Sequence, residues 1–123
     1  MLLFVYGSLM KNYWNDCYLS DAIFIGDFKT IKKYSLYIED KRIPYLSISN
    51  RLYHVSGELY DVSDQDIKMI DDHEGNGAWY FRQQLKVNND NGDEYTAYSY
   101  FNSNGDGELS NTGDFKEYMK KLC

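Results

Sequence analysis

The spacing of apolar and polar positions changes several times along the chain, and each change marks an element. Leu2, Leu3, Phe4, Val5 and Tyr6 form an apolar run stopped by Gly7 and Ser8, the pattern of a buried strand that ends in a tight turn. Beyond it, Asn15 is placed to cap a short helix with Leu19, Ala22 and Ile23 on one face. From Ile23 to Ile38, β-branched and aromatic residues alternate loosely with Gly26, Lys29, Lys32 and Lys33, which predicts one or two strands with a solvated face. Pro44 reads as part of a connection, and Leu52 to Asp61 alternates as a further strand.

The clearest helix begins after Ser63. That serine is a strong N-cap, Asp66 stands at the third helical position as in a capping box, and Val62 with Ile67 occupy the two staple positions. The helix is predicted over Asp64 to Glu74, where Gly75 supplies a residue that tolerates a left-handed C-terminal turn. Tyr80 to Val87 and Glu94 to Phe101 are strand-like and flank the turn-rich Asn88-Asn89-Asp90-Asn91-Gly92-Asp93, so they are expected to pair as a hairpin. Phe115, Tyr118, Met119 and Leu122 repeat at i, i+3, i+4 and i+7, a terminal amphipathic helix that docks on a core. Strands without regular βαβ alternation predict one α+β domain over 1–123, built on an antiparallel or mixed sheet that a barrel closure would complete.

Composition narrows the functions. Acidic residues outnumber basic ones by 19 to 13, giving a net charge of -6, so no basic footprint for nucleic acid or an anionic membrane is expected. No apolar stretch approaches the roughly 20 residues of a membrane span, and no signal peptide is read at the N-terminus. Cys17 and Cys123 are too few for a disulfide framework, which favours a reducing, cytoplasmic setting. The unusual feature is 13 tyrosines beside a single proline, residues suited to half-buried strands and pocket walls.

Two candidate sites emerge. On a wheel of about 100° per residue with Ile67 at zero, Ile70 falls at about 300° and Glu74 at about 340°, which puts Glu74 on the apolar stripe. A carboxylate facing the interior at the negative end of its own helix is destabilised as an anion, the environment of a proton shuttle. If the helix frays at Gly75, Glu74 swings into water instead. Asp71 at the stripe edge and Glu58 on the preceding strand read as solvated or hydrogen-bonded structural groups, one of them a partner for Arg82. The second candidate is Tyr6-Gly7-Ser8-Leu9, where a strand ending in Gly-Ser presents successive N–H groups that suit a carboxylate or an oxyanion. His54 and His73 lack metal-ligand spacing, GxSxG is incomplete at Gly7-Ser8, and no Walker or dinucleotide pattern occurs, so no metal or other cofactor is expected.

The ordered set Leu3-Phe4-Val5-Tyr6-Gly7-Ser8-Leu9-Met10-Lys11, Asn15, Pro44, Gly57-Glu58-Leu59-Tyr60, Asp71 with Glu74-Gly75, Tyr80 with Arg82, and Ala97 to Tyr100 resembles the γ-glutamylcyclotransferase-like family, in particular its small branch with the γ-glutamylamine cyclotransferases and AIG2-like proteins. The resemblance runs from about Leu3 to Phe101. It implies a small mixed β-barrel flanked by helices, and a pocket between the first strand's turn and the helix carrying the acid. By position, Tyr6, Gly7, Ser8 and Leu9 hold the glutamyl group through backbone amides and Glu74 is the acid/base, with Tyr6, Tyr80 and Tyr100 as candidate aromatic walls. The implied reaction cyclises an L-γ-glutamyl amide to 5-oxoproline and releases an amine. Binding or sequestering a small ligand in the same pocket is the alternative, and a hydrolase using Ser8 a remote third. Asn12 and Asp16 stand where family members often carry Gly and His, which directs attention to the leaving-group side.

Overall fold

A computed structural model describes residues 1–74, 80–102 and 107–121, with the side chain of Glu74 outside the described set. Its strands are β1 (Leu2–Val5), β2 (Ile23–Thr30), β3 (Ser35–Glu39), β4 (Ile43–Ser47), β5 (Ser56–Asp61), β6 (Phe81–Asn88), β7 (Glu94–Phe101) and β8 (Glu108–Leu109). Two α-helices, α1 (Asp64–Glu74) and α2 (Phe115–Lys121), accompany them.

The apolar N-terminal run becomes the strand that closes the sheet. β1 pairs antiparallel with β5 and parallel with β7, and the circuit β1-β5-β2-β6-β7 returns to β1 as a five-stranded barrel. Leu3 and Phe4 point to opposite faces of β1, and both are fully buried, which is why this strand shows no alternation in sequence. The β1–β7 seam has one residue pair, Leu3 with Tyr98, and a side chain reinforces it: Ser99 Oγ donates to the Phe4 carbonyl at 2.9 Å. Beyond the barrel, β7 passes to β4 in parallel at Phe101 and Leu46, and β4, β3 and β8 continue the sheet antiparallel to one another. The expected small mixed barrel flanked by helices is the observed fold.

The strongest local signals hold. Ser63 Oγ accepts the Asp66 N–H at 3.1 Å, the staple pair Val62 and Ile67 is buried, and α1 ends at Glu74. Gly75 lies outside the described residues. The β6–β7 hairpin pairs from Phe81 with Phe101 to Asn88 with Glu94. Helix α2 buries Phe115 and half-buries Tyr118 and Met119, while Leu122 lies outside the described residues.

Three expectations change. The segment after Asn15 forms a single 3₁₀ turn over Asp16–Leu19, and Asn15 caps nothing with its side chain, which donates to Ser8 Oγ instead. Ile23, expected on the buried face of that helix, opens β2 and is 66% exposed. Pro44 lies within β4, opposite Ile38, where β7 is not its ladder partner and the missing N–H costs nothing. The strand expected from Leu52 begins only at Ser56, because Tyr53 forms just an isolated bridge to Tyr34.

Candidate active site

β1 delivers the chain into a turn closed by the Met10 N–H, which donates to the Gly7 carbonyl at 3.0 Å. The two central residues of such a turn, Ser8 and Leu9, have no partner for their N–H groups inside it, and those groups donate to no described residue. Asn15 fastens the turn from the other side: its N–H donates to the Ser8 carbonyl at 3.0 Å and its amide to Ser8 Oγ at 2.9 Å. Glycine at position 7 is required by packing, since a Cβ there would collide with the ring of Pro44.

Tyr6 occupies the place where β7 changes its parallel partner from β1 to β4, a switch that leaves backbone groups without a ladder. Its hydroxyl satisfies two of them, donating to the Tyr100 carbonyl at 2.6 Å and accepting the Leu46 N–H at 3.2 Å. The same divergence of strands opens a cavity of about 320 Å³ at the end of β1, in the range of small-ligand sites. Tyr6, Leu9 and Tyr100 form a buried floor together with Phe4 and Val5, while Trp14, Arg42 and Ile43 form an exposed rim. Tyr80 stands in the wall and donates its hydroxyl to the Pro44 carbonyl at 3.1 Å.

The last turn of α1 reaches this cavity. His73 lines it, its ring tilted by 30° against that of Tyr18 with centroids 4.4 Å apart, and partial loss of hydration holds its pKa below the ordinary imidazole value. Asp71 accepts the hydroxyl of cavity-lining Tyr100 at 2.6 Å through Oδ1 and pairs with Arg82 at 3.3 Å through Oδ2. Arg82 thus pairs with Asp71 and not with Glu58. Glu58 is buried on another side of the barrel, where it accepts the Lys11 N–H, the Tyr60 hydroxyl and the Lys116 ammonium at 2.9, 3.0 and 3.3 Å, a structural carboxylate as expected. The raised pKa of Tyr60 follows from burial first and from the neighbouring Glu58 charge second.

Of the residues singled out from sequence, Tyr6, Gly7, Ser8, Leu9, Tyr80 and Tyr100 all line one cavity, and the side chain of Glu74 lies outside the described residues. Trp14, Arg42, Ile43 and His73 were not singled out as site residues. Three of them come from irregular or hairpin positions that no periodicity marks, and His73 sits about 240° round the wheel from Ile67, off the apolar stripe. Asn12 and Asp16 do not line this cavity. Asn12 has φ 71°, the left-handed region that favours glycine and that asparagine tolerates, and its N–H donates to Asp16 Oδ2 at 3.0 Å. These two residues therefore brace the loop that carries Trp14 and Asn15 and contribute no wall to the cavity.

The sequence matches a known group of proteins. Residues 3–117 fit the family model described as "Gamma-glutamyl cyclotransferase, AIG2-like". The chain belongs to this γ-glutamyl cyclotransferase, AIG2-like family. A Methanocaldococcus jannaschii protein provisionally named a gamma-glutamylcyclotransferase is 39% identical to this family member over 117 residues, covering 94% of this chain and 96% of its own. The gamma-glutamylaminecyclotransferase of Xenopus laevis is 38% identical over 68 residues, covering 54% of this chain and 49% of its own, so the match spans about half of that relative. The crystal structure of an AIG2-like protein from Mus musculus superposes with a TM-score of 0.74 at 28% identity, covering 81% of this chain and 75% of that one.

Proposed function

We propose that this γ-glutamylcyclotransferase-like enzyme cyclises an L-γ-glutamyl amide, forming 5-oxoproline and releasing the amine. The observation that carries this reading is the meeting, at one small cavity, of turn N–H groups without a partner among the described residues, tyrosine walls and the carboxyl end of α1. The substrate's α-amino nitrogen attacks its own γ-carbonyl carbon, so the protein supplies no nucleophile. Holding the glutamyl chain folded contributes much of the barrier reduction, since oriented intramolecular reactions reach effective molarities of about 10⁵ to 10⁸ M.

Glu74 is the proposed acid/base. The α-ammonium loses one proton before the ring N–C bond forms and a second after it, and both pass by way of Glu74 to the departing nitrogen as the amide C–N bond breaks, leaving the lactam N–H and a released ammonium ion. Such transfers contribute about 10² to 10⁴ in rate. The support is positional: Glu74 ends α1, its chain neighbour His73 lines the cavity, and Asp71 one turn earlier is bonded to cavity-lining Tyr100. The N–H groups of Ser8 and Leu9 grip the α-carboxylate or the developing oxyanion, and each oxyanion donor is worth about 10² to 10³. The buried floor of Tyr6, Leu9 and Tyr100 excludes water and favours ring closure over hydrolysis.

Incubation of the purified chain with γ-glutamyl amino acids, Nε-(γ-glutamyl)-lysine and glutathione, with detection of 5-oxoproline, tests the reading. Product from at least one class is expected. Binding of these compounds without product would replace catalysis by sequestration.

A further inference from the structure

The turn that presents the Ser8 and Leu9 N–H groups is held at both ends by one residue outside it. Val5, the last residue of β1, stands opposite Glu58 in the β1–β5 ladder. The chain leaves β1 through Tyr6 and Gly7, turns back, and returns at Lys11, whose N–H donates to Glu58 Oε1 at 2.9 Å. The start and the end of this excursion are therefore fixed on the same residue of β5. Gly57 makes the approach close: a Cβ there would strike the Val5 carbonyl and the Phe4 ring, so β5 lies hard against the end of β1.

Successive N–H groups along the excursion have different duties. Those of Ser8 and Leu9 donate to no described residue, that of Met10 closes the turn on the Gly7 carbonyl, and that of Lys11 is taken by the carboxylate. The side chain of Lys11 plays no part in this bond, since its ammonium lies over the Phe24 ring, 3.6 Å from the centroid. Glu58 is 2% exposed, and its two other partners come from elsewhere in the fold: Tyr60 on β5 donates its hydroxyl to Oε1 and Lys116 on α2 its ammonium to Oε2. Burying a carboxylate costs hydration that an apolar residue of similar size would not lose. What the carboxylate adds is an acceptor at a set place, and a hydrogen bond to it is shorter and about twice as strong as one between neutral groups. Asn15 bonds Ser8 from the other side, so the segment that bears the Ser8 and Leu9 N–H groups lies between two anchors.

We propose that Glu58 is a positioning residue of the cyclisation: by accepting the Lys11 N–H it sets the angle at which the Ser8 and Leu9 N–H groups converge on the glutamyl carboxylate or the oxyanion. The inference rests on the cyclotransferase reading for what those groups bind. Displacement of a binding or catalytic group by about 1 Å costs about 10² in rate, so a loosened turn lowers activity far more than it lowers stability.

Replacing the Met10–Lys11 amide by an ester removes this one N–H and leaves every side chain in place. A synthetic segment 1–16 joined at Cys17 gives the full chain with that change. Its kcat/KM for the γ-glutamyl compounds named above should fall by at least about tenfold. Glu58→Met should fall as far, with Glu58→Gln between it and the unaltered chain because its amide oxygen still accepts the Lys11 N–H; where Glu58→Met does not fold, the ester chain carries the test. Tyr60→Phe and Lys116→Met each take a bond from the same carboxylate but leave the one to the turn, so their melting temperatures should fall while kcat/KM stays near that of the unaltered chain. Kinetics that follow melting temperature across all the variants, or an ester chain as active as the unaltered one, overturn the proposal. If the unaltered chain forms no 5-oxoproline, the cyclotransferase reading fails by itself and the backbone decides: the NMR amide resonances of Ser8 and Leu9 should move in the ester chain and in Glu58→Met and hold in Tyr60→Phe. Resonances that hold in the ester chain, or that move equally in Tyr60→Phe, overturn the proposal as well.

Discussion

Tyr100 donates its hydroxyl to Asp71 across 2.6 Å, which joins a barrel strand to the last turn of α1. Arg82 reaches the other carboxylate oxygen from the neighbouring strand, so β6 and β7 together hold one residue of the helix. Glu74 follows three residues later, at the end of α1. The network thus sets where the end of α1 stands relative to the cavity.

Tyr100→Phe keeps the buried ring and removes the hydroxyl that donates to Asp71. Because Asp71 is partly solvated, the loss should be about 1.5 kcal/mol, the lower end for hydrogen bonds to charged groups. Activity should fall further than stability implies, by about tenfold in kcat/KM, because small misplacements of a catalytic group are costly. Urea unfolding and 5-oxoproline kinetics on one preparation measure both. Unchanged kinetics would reduce the tie to a structural brace.

Gly7→Ala places a Cβ against the Pro44 ring, whose Cδ and Cβ lie at 3.3 and 3.4 Å from that position and whose Cγ is closer still. Overpacking of this kind costs about 1 to 3 kcal/mol, and relief by moving Pro44 would distort the cavity wall. Pro44→Ala removes the colliding Cγ. The double variant should therefore be more stable than Gly7→Ala alone, a coupling that thermal unfolding of the four proteins in the cycle would reveal. Additive effects would show that Gly7 is needed for some other reason.

Glu74→Gln retains shape and hydrogen bonding but carries no proton. Turnover should drop by at least about 10², while the dissociation constant for a γ-glutamyl ligand changes little. Single-turnover product formation and calorimetry separate the two effects. Product formation at the unaltered rate would overturn the proposed acid/base role of Glu74.

Partial loss of hydration lowers the folded-state pKa of His73 below that of the unfolded chain. Between those two values the unfolded chain binds more protons, so stability rises with pH through this window and is lost as pH falls from about 6.5 downward. The melting temperature should decline on acidification from neutrality, and His73→Gln should flatten that part of the decline. Titration of the ring protons by NMR should place the transition below the ordinary histidine value. A midpoint at or above it would contradict the partial dehydration beside Tyr18.

Much of this protein was legible from residues close together in sequence. The Val62-Ser63-Asp66-Ile67 signature specifies the start of α1 because capping and stapling act within one turn, and the structure contains the Ser63 bond. The unbroken run from Leu2 to Val5 marked a strand covered on both faces, since alternation is lost when both faces are buried. The Gly7-Ser8 turn and the β6–β7 hairpin were legible for similar local reasons.

Other features depend on pairs far apart in the chain. Asn15 has the side chain of a helix cap, yet its amide turns to Ser8 because the 3₁₀ segment is packed beside the turn after β1. Pro44 is read locally as a loop residue, but the missing ladder partner at that point of β4 admits it to a strand. Closure of β1 on β7 sets residues more than ninety positions apart side by side, and the divergence of β7 from β1 toward β4 opens the cavity. Trp14, Arg42 and His73 meet there from three separate elements. Periodicity reports which face of an element avoids water, because that preference acts residue by residue; which faces meet is decided by the free energy of closing the whole barrel, and this placed Arg42 at the rim.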